Sequence, residues 1–460
     1  MKNQGYSRLV SDPASSNTFV SDTLQQQDTI IKEQDEDLEN ISGSLHTLKN
    51  MSHQIGNELQ DQSEQQDYNK IMLFTVVLIG FINLVIATDP NGFVVFCPCM
   101  GRFGNQLETF LGTLNFAKEL NRTLVLPPFL EYPYGSTVAN TVSFKNVFDV
   151  EPILEFHRVV TMEEFMKTLA NKIWPEKERK VFCWAPRESY KTENNEQSCH
   201  AKEGNPYGPF WNHFSVDFVD DLYFGHIGYD VSDPQVVRHW KTKYPSASFP
   251  VLAFSSAPVD FPILPNNRHI QQYFRWSKHI RDEAEEFVKL HLRRPFIGIH
   301  LRNGENACKH VDSYEHFFAS AQCTGDNFEF GRPSRELCFP SQDQIIKDVG
   351  EEISRLDAKS VYVSSDNDFM LGTFHRTFNK TIGFRKLRND NPYLSLAILD
   401  LADHLIANCV STFSGFAVRQ RRFGAHQKYT SHSFFGFRET PVKKIEAKVD
   451  VKETTLRDEL

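Results

Sequence analysis

The sequence lacks any surplus of basic residues, and this absence excludes one large class of partners. Its 460 residues contain 50 Lys and Arg against 59 Asp and Glu, a formal net charge of −9. Proteins that bind nucleic acid need a basic surface, so no nucleic-acid partner is expected. Most of the acidity lies in residues 1–70, which carry 5 basic and 12 acidic side chains. The rest of the chain is nearly neutral, and its many Phe residues are enough for a substantial core.

Cysteine is absent from the first 96 residues, and all eight cysteines follow the apolar segment at residues 71–88. An even number on one side of a membrane segment indicates disulfides formed in an oxidising compartment, the alternative being free thiols in a core. Zinc ligation is disfavoured because the Cys-Pro-Cys sequence at residues 97–99 is one residue tighter than the usual ligand pair, and no second pair matches it. No metal site is therefore predicted.

The apolar segment has 18 residues without a charge, at the short end of what spans a bilayer. Lys70 before it and Asp89 after it favour a cytosolic N-terminus. Together with residues 1–70 the segment is predicted to be a transmembrane signal-anchor, which makes the membrane a partner if it is not cleaved. If the chain is read from Met72, the segment is typical of a signal peptide with a small-residue cleavage site at Ala87. Both interpretations place the rest of the chain in the lumen.

Residues 1–70 form an acidic arm with apolar residues at alternating spacings of three and four, the pattern of a coiled coil. The pattern runs from Ile31 to Gln62 and stops because Gln66 and Asn69 occupy the next two positions. The stretch before Gln62 resembles the centre of a Qc-type SNARE motif of the syntaxin kind, without that motif's C-terminal half. The arm is therefore either a helical or disordered solvated segment or a binder of partner SNARE helices. A truncated motif just before a segment able to act as a signal peptide also favours the hypothesis that readthrough joined residues 1–70 to the rest.

Beyond residue 93 the chain alternates short β-rich apolar runs with amphipathic helical patterns, which predicts an α/β fold. Strands are expected at residues 93–96, 123–126, 296–301, 360–364 and 405–410. Helices are expected at about 105–120, 279–292, 342–356 and 392–406, so the last helix and the last strand overlap.

The first motif with chemical meaning follows the first predicted strand. The sequence Gly-Arg-Phe-Gly-Asn-Gln at residues 101–106 is a glycine turn that opens a helix. Free N–H groups and the positive end of the helix dipole favour an anion such as phosphate there. Arg102 adds a positive charge, and Asn105 can donate a hydrogen bond. The alternative is a turn that serves packing alone.

The second motif lies where the strand at 296–301 ends. His300 and Arg302 are two residues apart, so on a strand they point to the same face. Ligands of open α/β sheets bind beyond that end, and the planar guanidinium of Arg suits a diphosphate; the alternative is a structural ion pair. Asp366 ends another apolar run, and Ser411 and Thr412 end the last, where hydroxyl groups can hold phosphate or a base.

Together these motifs, in this order, resemble the protein O-fucosyltransferase family that acts on EGF-like repeats. The resemblance extends from residue 93 to about 437. It is carried by residues 101–106 and 116–128, by His-Leu-Arg-Asn-Gly at 300–304, by Ala-Asp-His at 402–404, by Asn-Cys-Val-Ser-Thr-Phe at 408–413 and by the terminal Arg-Asp-Glu-Leu. It implies a GT-B-like fold of two Rossmann-like domains that face a cleft, at residues 93–295 and 296–437, followed by a charged tail at 438–460.

The resemblance also implies the chemistry. An inverting glycosyltransferase would take fucose from GDP-fucose, with no metal and no further cofactor. Arg302 would be the main catalytic residue, stabilising the leaving diphosphate, and Asn105 would lie near the acceptor. An acidic nucleotide contact of the family falls near Ser395 here, with Asp400 nearby. Donor-binding positions implied by the family are Arg102, Phe103, Gly104, Asn105, His300, Leu301, Arg302, Asp366, Ser411, Thr412 and Phe413.

Further features follow from the same resemblance and from short motifs. The family pattern implies disulfides Cys97–Cys99, Cys183–Cys199, Cys308–Cys338 and Cys323–Cys409. Asn121 and Asn379 lie in luminal glycosylation sequons. The terminal Arg-Asp-Glu-Leu is a retrieval signal of the KDEL type, which predicts residence in the endoplasmic reticulum lumen. Expected acceptors are EGF-like repeats such as those of Notch-type receptors. The alternatives are thrombospondin-type repeats as acceptors, or a SNARE-like membrane interaction protein.

Overall fold

A computed structural model of the chain describes residues 91–437 apart from 133–135, 137, 190–196, 305–307, 309–310, 312–316, 379–380, 390 and 425–430. The acidic arm, the apolar segment at 71–88, the charged tail and Asn379 lie outside these residues. The described residues belong to one compact unit. Within the described ranges, no helix combines the length and apolarity needed to cross a membrane.

A parallel six-stranded sheet forms the first half of the unit. Its spatial order is β5-β2-β1-β8-β6-β7. All neighbouring strands in this sheet are parallel. All residues of β1, β2 and β8 are buried. A separate antiparallel hairpin joins β3 to β4. The strands of this half are β1 Phe93–Phe96, β2 Thr123–Leu126, β3 Phe129–Glu131, β4 Asn140–Val142, β5 Val159–Thr161, β6 Lys180–Cys183, β7 Asp220–Tyr223 and β8 Val251–Phe254.

A parallel five-stranded sheet, in the order β11-β10-β9-β12-β13, forms the second half. The chain runs outward from β9 through β10 to β11 and then returns to the other side of β9 as β12. The gap between β9 and β12 is therefore a topological switch point, where open sheets of this kind bind ligands. The strands are β9 Phe296–Leu301, β10 Ser360–Ser365, β11 Gly383–Arg385, β12 His404–Ala407 and β13 His432–Phe434.

Helices connect the strands, and several begin at side-chain caps. Ser277, Ser341, Asn391 and Ser411 each accept a hydrogen bond from a backbone N–H of the first helical turn. Short 3₁₀ segments cover Glu176–Glu178 and Pro265–Tyr273. The α-helices are α1 Phe103–Glu119, α2 Phe144–Val147, α3 Glu151–Leu154, α4 Met162–Thr168, α5 Ala170–Ile173, α6 Tyr207–His213, α7 Pro234–Lys243, α8 Lys278–His291, α9 Ala321–Thr324, α10 Arg335–Cys338, α11 Gln342–Leu356, α12 Leu371–Thr377, α13 Pro392–Asp400 and α14 Thr412–Phe423.

Aromatic side chains pack the two halves together. Phe148 stacks on Trp276 with ring centres 4.7 Å apart and contacts Phe416 of α14 at 5.9 Å. Phe103, the first residue of α1, meets Tyr393 of α13 edge-to-face at 4.6 Å. Full burial of one such side chain contributes about 1.5–3 kcal/mol, so this cluster holds α1 firmly against the helices of the second half.

The predicted α/β class is confirmed, with both large sheets parallel. The strands of the first sheet precede Phe296 and those of the second begin there; the division into two domains between residues 295 and 296 remains a prediction. The expected helix at 392–406 was too long, because α13 ends at Asp400 and β12 begins at His404. The strand predicted at 405–410 is β12, which ends at Ala407 rather than at residue 410. The chain turns there towards α14, the helix capped by Ser411.

The four disulfides are those that the resemblance implies: Cys97–Cys99, Cys183–Cys199, Cys308–Cys338 and Cys323–Cys409. Cys323–Cys409 ties α9 to the segment between β12 and α14. Its two cysteines are 86 residues apart, the widest separation of the four.

Removal of this bond in a Cys323→Ser/Cys409→Ser variant is expected to lower the free energy of unfolding by about 2–5 kcal/mol, because the unfolded chain regains the entropy of a long loop. Urea unfolding measures the change. The control is Cys183→Ser/Cys199→Ser, whose separation is 16 residues. Its loss should be smaller by about 1.5 kcal/mol, and an equal or larger loss would contradict the loop-entropy argument.

Candidate functional site

Two strand-to-helix turns meet where the carboxyl edges of the two sheets face each other. One runs from β1 to α1, and the other runs from β12 to α14. Thr412 Oγ1 donates a 2.7 Å hydrogen bond to Asn105 Oδ1, which joins residues 307 positions apart in the chain. The N-terminal ends of α1 and α14 therefore lie side by side.

Close backbone contact between these turns depends on Gly104. A Cβ atom at this position would lie 2.7 Å from the backbone nitrogen of Phe413 and 2.8 Å from Thr412 Oγ1. The N-cap residue Arg102 does not cap α1 with its side chain, and Ser411 caps α14 at the N–H of Ser414. Other N–H groups in the first turns of both helices lie near one another and have no intrahelical partner. Two helix dipoles with positive ends together favour an anion with more than one negative charge, such as a diphosphate.

His300 lies at the carboxyl end of β9, beside α14. Its ring is buried, with its centre 4.7 Å from the ring centre of Phe413, and its Nδ1 is 2.8 Å from Ser414 Oγ. The same Oγ accepts the backbone N–H of Asn408 at 2.9 Å. Within the described residues His300 Nδ1 is the remaining partner of the Ser414 hydroxyl, so the hydroxyl donates to it. The ring proton then resides on Nε2, where it can be donated to a ligand.

Burial lowers the pKa of His300 to about 4. The unfolded chain, with a pKa of about 6.5, binds more protons between these values, so stability falls as the pH drops from 6.5 towards 4. We expect His300 to account for about 2 kcal/mol of the stability lost between pH 7 and pH 5. Between pH 7 and pH 5, a His300→Asn variant should lose about 2 kcal/mol less stability than the wild type. Urea unfolding at both pH values measures the difference. His291→Asn, which removes an exposed histidine, should keep the wild-type difference; an unchanged difference in His300→Asn would refute the assignment.

Arg302 follows β9 directly, and its guanidinium carbon lies 5.4 Å from the ring centre of Phe318. Burial lowers its pKa and the charge of Asp366 opposes that shift, yet an arginine stays charged at neutral pH. Its Nε is buried and has no hydrogen-bond partner within the described part of the chain. An acceptor group on a ligand would satisfy this donor.

Asp366 fixes the loop that carries Arg302. Its Oδ1 accepts the backbone N–H of Asn303 at 2.9 Å and that of Gly304 at 3.3 Å. The Asn303 side chain in turn accepts the N–H of Asp368 at 3.0 Å. The loops after β9 and β10 are thus tied together, and Asp366, although exposed, has one oxygen committed to this structure.

Most of the predicted donor-binding residues lie close together, but their side chains are not equally accessible to a ligand. The side chains of Phe103 and Leu301 are buried in hydrophobic clusters, so each can contact a ligand only through its backbone. Ser411 is buried and caps α14 through Ser414 N–H. Arg102 is exposed at the start of α1.

Two residues of the site were not predicted from the sequence. Ser414 holds the His300 ring, and Ser411 is a residue type that caps helices, which could have indicated the start of α14. Phe318 lies beside Arg302 and has no sequence signal, because its segment shows no helical or strand periodicity that would place a side chain against Arg302.

The family's acidic nucleotide contact was expected near Ser395, with Asp400 as a nearby carboxylate. These two residues have different surroundings. Ser395 lies in the first turn of α13, where its Oγ is 2.9 Å from both Tyr362 Oη and Ser364 Oγ, next to the carboxyl end of β10. Asp400 lies at the other end of α13 and accepts the indole N–H of Trp276 at 2.7 Å. Burial raises its pKa to about 7. Asp400 is therefore remote from the carboxyl edge of the sheet.

The described ranges contain no group of three or more His, Cys, Asp or Glu side chains able to hold a metal ion.

Paired helix N-termini, a half-buried arginine and two parallel sheets indicate an enzyme of the class that uses a nucleotide-diphosphate donor. The profile of the GDP-fucose protein O-fucosyltransferase family matches residues 93–424. GDP-fucose protein O-fucosyltransferase 1 of Caenorhabditis elegans is 44% identical over 359 residues, which cover 76% of this chain and 92% of that protein. The chain belongs to the GDP-fucose protein O-fucosyltransferase family, and it is therefore a glycosyltransferase.

Solved structures agree with this membership. The crystal structure of POFUT1 in complex with GDP-fucose is 43% identical and matches with a TM-score of 0.72, covering 76% of this chain and 99% of that one. The apo form of POFUT1 gives a TM-score of 0.71 at 42% identity, with coverage of 76% and 99%.

The N-terminal part of the chain has different relatives. Syntaxin-6 of Gallus gallus is 44% identical over 63 residues, which cover 14% of this chain and 25% of that protein. The predicted SNARE-like segment is thus confirmed as a similarity, which spans a quarter of the syntaxin.

Proposed function

We propose that this protein transfers fucose from GDP-fucose to a Ser or Thr hydroxyl of folded EGF-like repeats, such as those of Notch-type receptors, in the endoplasmic reticulum lumen. The observation that carries the proposal is the junction of α1 and α14, where two helix N-termini and Arg302 surround a place suited to a diphosphate. The identity to the C. elegans enzyme over almost its whole length supports the same donor and reaction.

The roles of the residues follow from the charge that develops in the reaction. The bond between the sugar carbon and the β-phosphate oxygen breaks as the acceptor oxygen bonds to that carbon, and the configuration there inverts. Negative charge then accumulates on the departing diphosphate. Arg302 and the N–H groups of residues 104 and 413 stabilise that charge, and His300 donates from Nε2.

Asp366 is a poor base for the acceptor hydroxyl, because its Oδ1 already accepts two backbone N–H groups. The proposed reaction therefore depends on stabilisation of the leaving group, and the acceptor hydroxyl gives up its proton late, to the departing diphosphate oxygen as the new C–O bond forms. Asn105, held by Thr412 at the mouth of the site, is placed to orient the acceptor.

The test is transfer by the full-length protein to a purified, folded EGF-like repeat that carries the sequence C-x-x-x-x-[S/T]-C. Mass spectrometry should find one added fucose, dependent on GDP-fucose and absent when the Ser or Thr is replaced with Ala. The same repeat, reduced and unfolded, is the control. Modification of a thrombospondin-type repeat in its place would assign the alternative acceptor.

The luminal location rests on the disulfides, the terminal Arg-Asp-Glu-Leu and the sequons. Asn121 is exposed in a turn, and Arg158 donates to its Oδ1 at 2.9 Å, so the amide nitrogen that carries a glycan is left for modification. An Asn121→Gln variant expressed in cells should migrate faster on a gel than the wild type, with the mobility difference abolished by endoglycosidase treatment. Equal mobility before treatment would count against a glycan at this site.

The similarity to syntaxin-6 supports a second candidate function, binding of residues 25–65 to SNARE helices. A peptide of these residues should gain helix in circular dichroism when partner SNARE helices are added. No gain would remove this candidate and leave the transferase unaffected.

A further inference from the structure

A buried ion pair connects the two helices of the site away from the proposed ligand. Glu108 of α1 is fully buried, and Arg419 of α14 is almost so. Arg419 Nη2 donates to Glu108 Oε1 at 2.5 Å, across 311 residues of sequence. Neither residue belongs to the motifs at the carboxyl edges, and the proposed reaction does not use them.

Further hydrogen bonds hold both members of the pair, through Gln271 of the 3₁₀ segment and through Ile263. Arg419 Nε donates to Gln271 Oε1 at 2.7 Å, and Gln271 Nε2 donates to the carbonyl oxygen of Phe416 at 2.7 Å. The second oxygen of Glu108 accepts the N–H of Ile263 at 3.0 Å. Each charge therefore faces an opposite charge and forms further hydrogen bonds. These are the conditions under which two charges can be buried without a large desolvation penalty.

The location of the pair gives it a geometric role. Glu108 is three residues beyond Asn105 in α1, about 4.5 Å along the helix axis, and Arg419 is seven residues beyond Thr412 in α14. The Asn105–Thr412 hydrogen bond at the tip would by itself let the helices pivot about one point. A second contact, about one turn further along α1 and about two turns further along α14, restricts the angle between them.

We infer that Glu108 and Arg419 are positioning residues for donor binding. They hold α1 and α14 at the angle at which both N-termini point to the diphosphate. Apolar side chains of similar size would fill the same space, but their contacts lack direction and would restrict the angle less. The inference rests on the proposed donor site and is independent of the acceptor.

The test is a Glu108→Leu/Arg419→Met double variant of the full-length protein, in which both charges are removed together. Its thermal unfolding midpoint should fall, because the Ile263 N–H and Gln271 Oε1 lose their partners. The KM for GDP-fucose should rise about tenfold or more, because small misplacements of binding groups are costly. The KM for the acceptor should stay unchanged. Calorimetric titration with GDP should show the same loss of affinity.

Arg122→Met is the matched control. Arg122 is equally buried, but it donates to the carbonyl oxygens of Phe249 and Tyr244, both in the first half of the unit. This variant should lose stability and keep the wild-type KM for GDP-fucose. A wild-type KM in the double variant, or an equal rise in both variants, would overturn the positioning role.

If the double variant does not fold, Glu108→Asp replaces it, because it keeps the charge and shortens the side chain by one methylene. It should raise the KM for GDP-fucose about threefold, and no change would overturn the inference. GDP binding by the wild type without transfer to EGF-like repeats would refute the proposed acceptor and leave this inference standing. Absence of GDP binding by the wild type would refute both.

Discussion

Replacement of Arg302 with alanine is expected to lower kcat for fucose transfer by about 10²- to 10³-fold, the usual effect of removing one group that stabilises a developing anion. The charge on the diphosphate grows as the glycosidic bond breaks, so the transition state loses more than the bound ground state. The KM for GDP-fucose should therefore change much less than kcat. Steady-state kinetics with varied donor concentration measure both constants.

Arg294→Ala is the matched control for this prediction. Arg294 precedes the other end of the same strand, β9, and forms an ion pair with Asp403 at 2.8 Å on the far edge of the sheet. Its removal should leave kcat at the wild-type value and reduce stability by less than about 1 kcal/mol, as expected of an exposed pair. Full activity in Arg302→Ala, with the fold intact, would remove Arg302 from the mechanism.

Gly104→Ala is expected to raise the KM for GDP-fucose by about 10- to 100-fold. The added methyl group would lie 2.7 Å from the backbone nitrogen of Phe413, and backbone atoms at a helix N-terminus cannot move aside as a flexible side chain can. The two helix ends must separate, and their N–H groups then no longer converge. Overpacking of this kind also costs about 1–3 kcal/mol of stability.

Gly372→Ala provides the comparison, since the same methyl group is added to a helix without a steric conflict. In α12 the nearest atom to the new Cβ would be the tip of the Arg376 side chain, 3.5 Å away. This variant should keep the wild-type KM and gain about 0.5–1 kcal/mol of stability. A Gly104→Ala protein that binds GDP as tightly as the wild type would show that the junction of the helices is not the donor site.

Much of the fold was predictable because its central strands are uniformly apolar. β1, β2 and β9 have the predicted bounds, since each is a buried run interrupted at both ends by polar or turn residues. β7 was missed because it lies at an edge of its sheet and contains the charged residues Asp220 and Asp221. An edge strand is paired on one side only, and its sequence needs no apolar run.

The site was predictable in its chemistry but not in its assembly. His300 and Arg302 follow from the strand end on which they lie, and the glycine turn follows from its sequence. α14 was missed because Arg419 and Arg421 are buried in it, so its inward face shows no apolar stripe. The pairing of Arg419 with Glu108 depends on how the two halves pack, which no local pattern encodes.

The hydrogen bond between Asn105 and Thr412 has a consequence for the synthesis of the protein. A contact that spans 307 residues raises the contact order and cannot form until almost the whole chain has been made. The first sheet can fold while the nascent chain is still being translated, but the proposed donor pocket includes Thr412 and can form only after this residue has emerged. Chains that terminate before this point are expected to be inactive whatever their stability, so α14 is expected to act as a check on completeness.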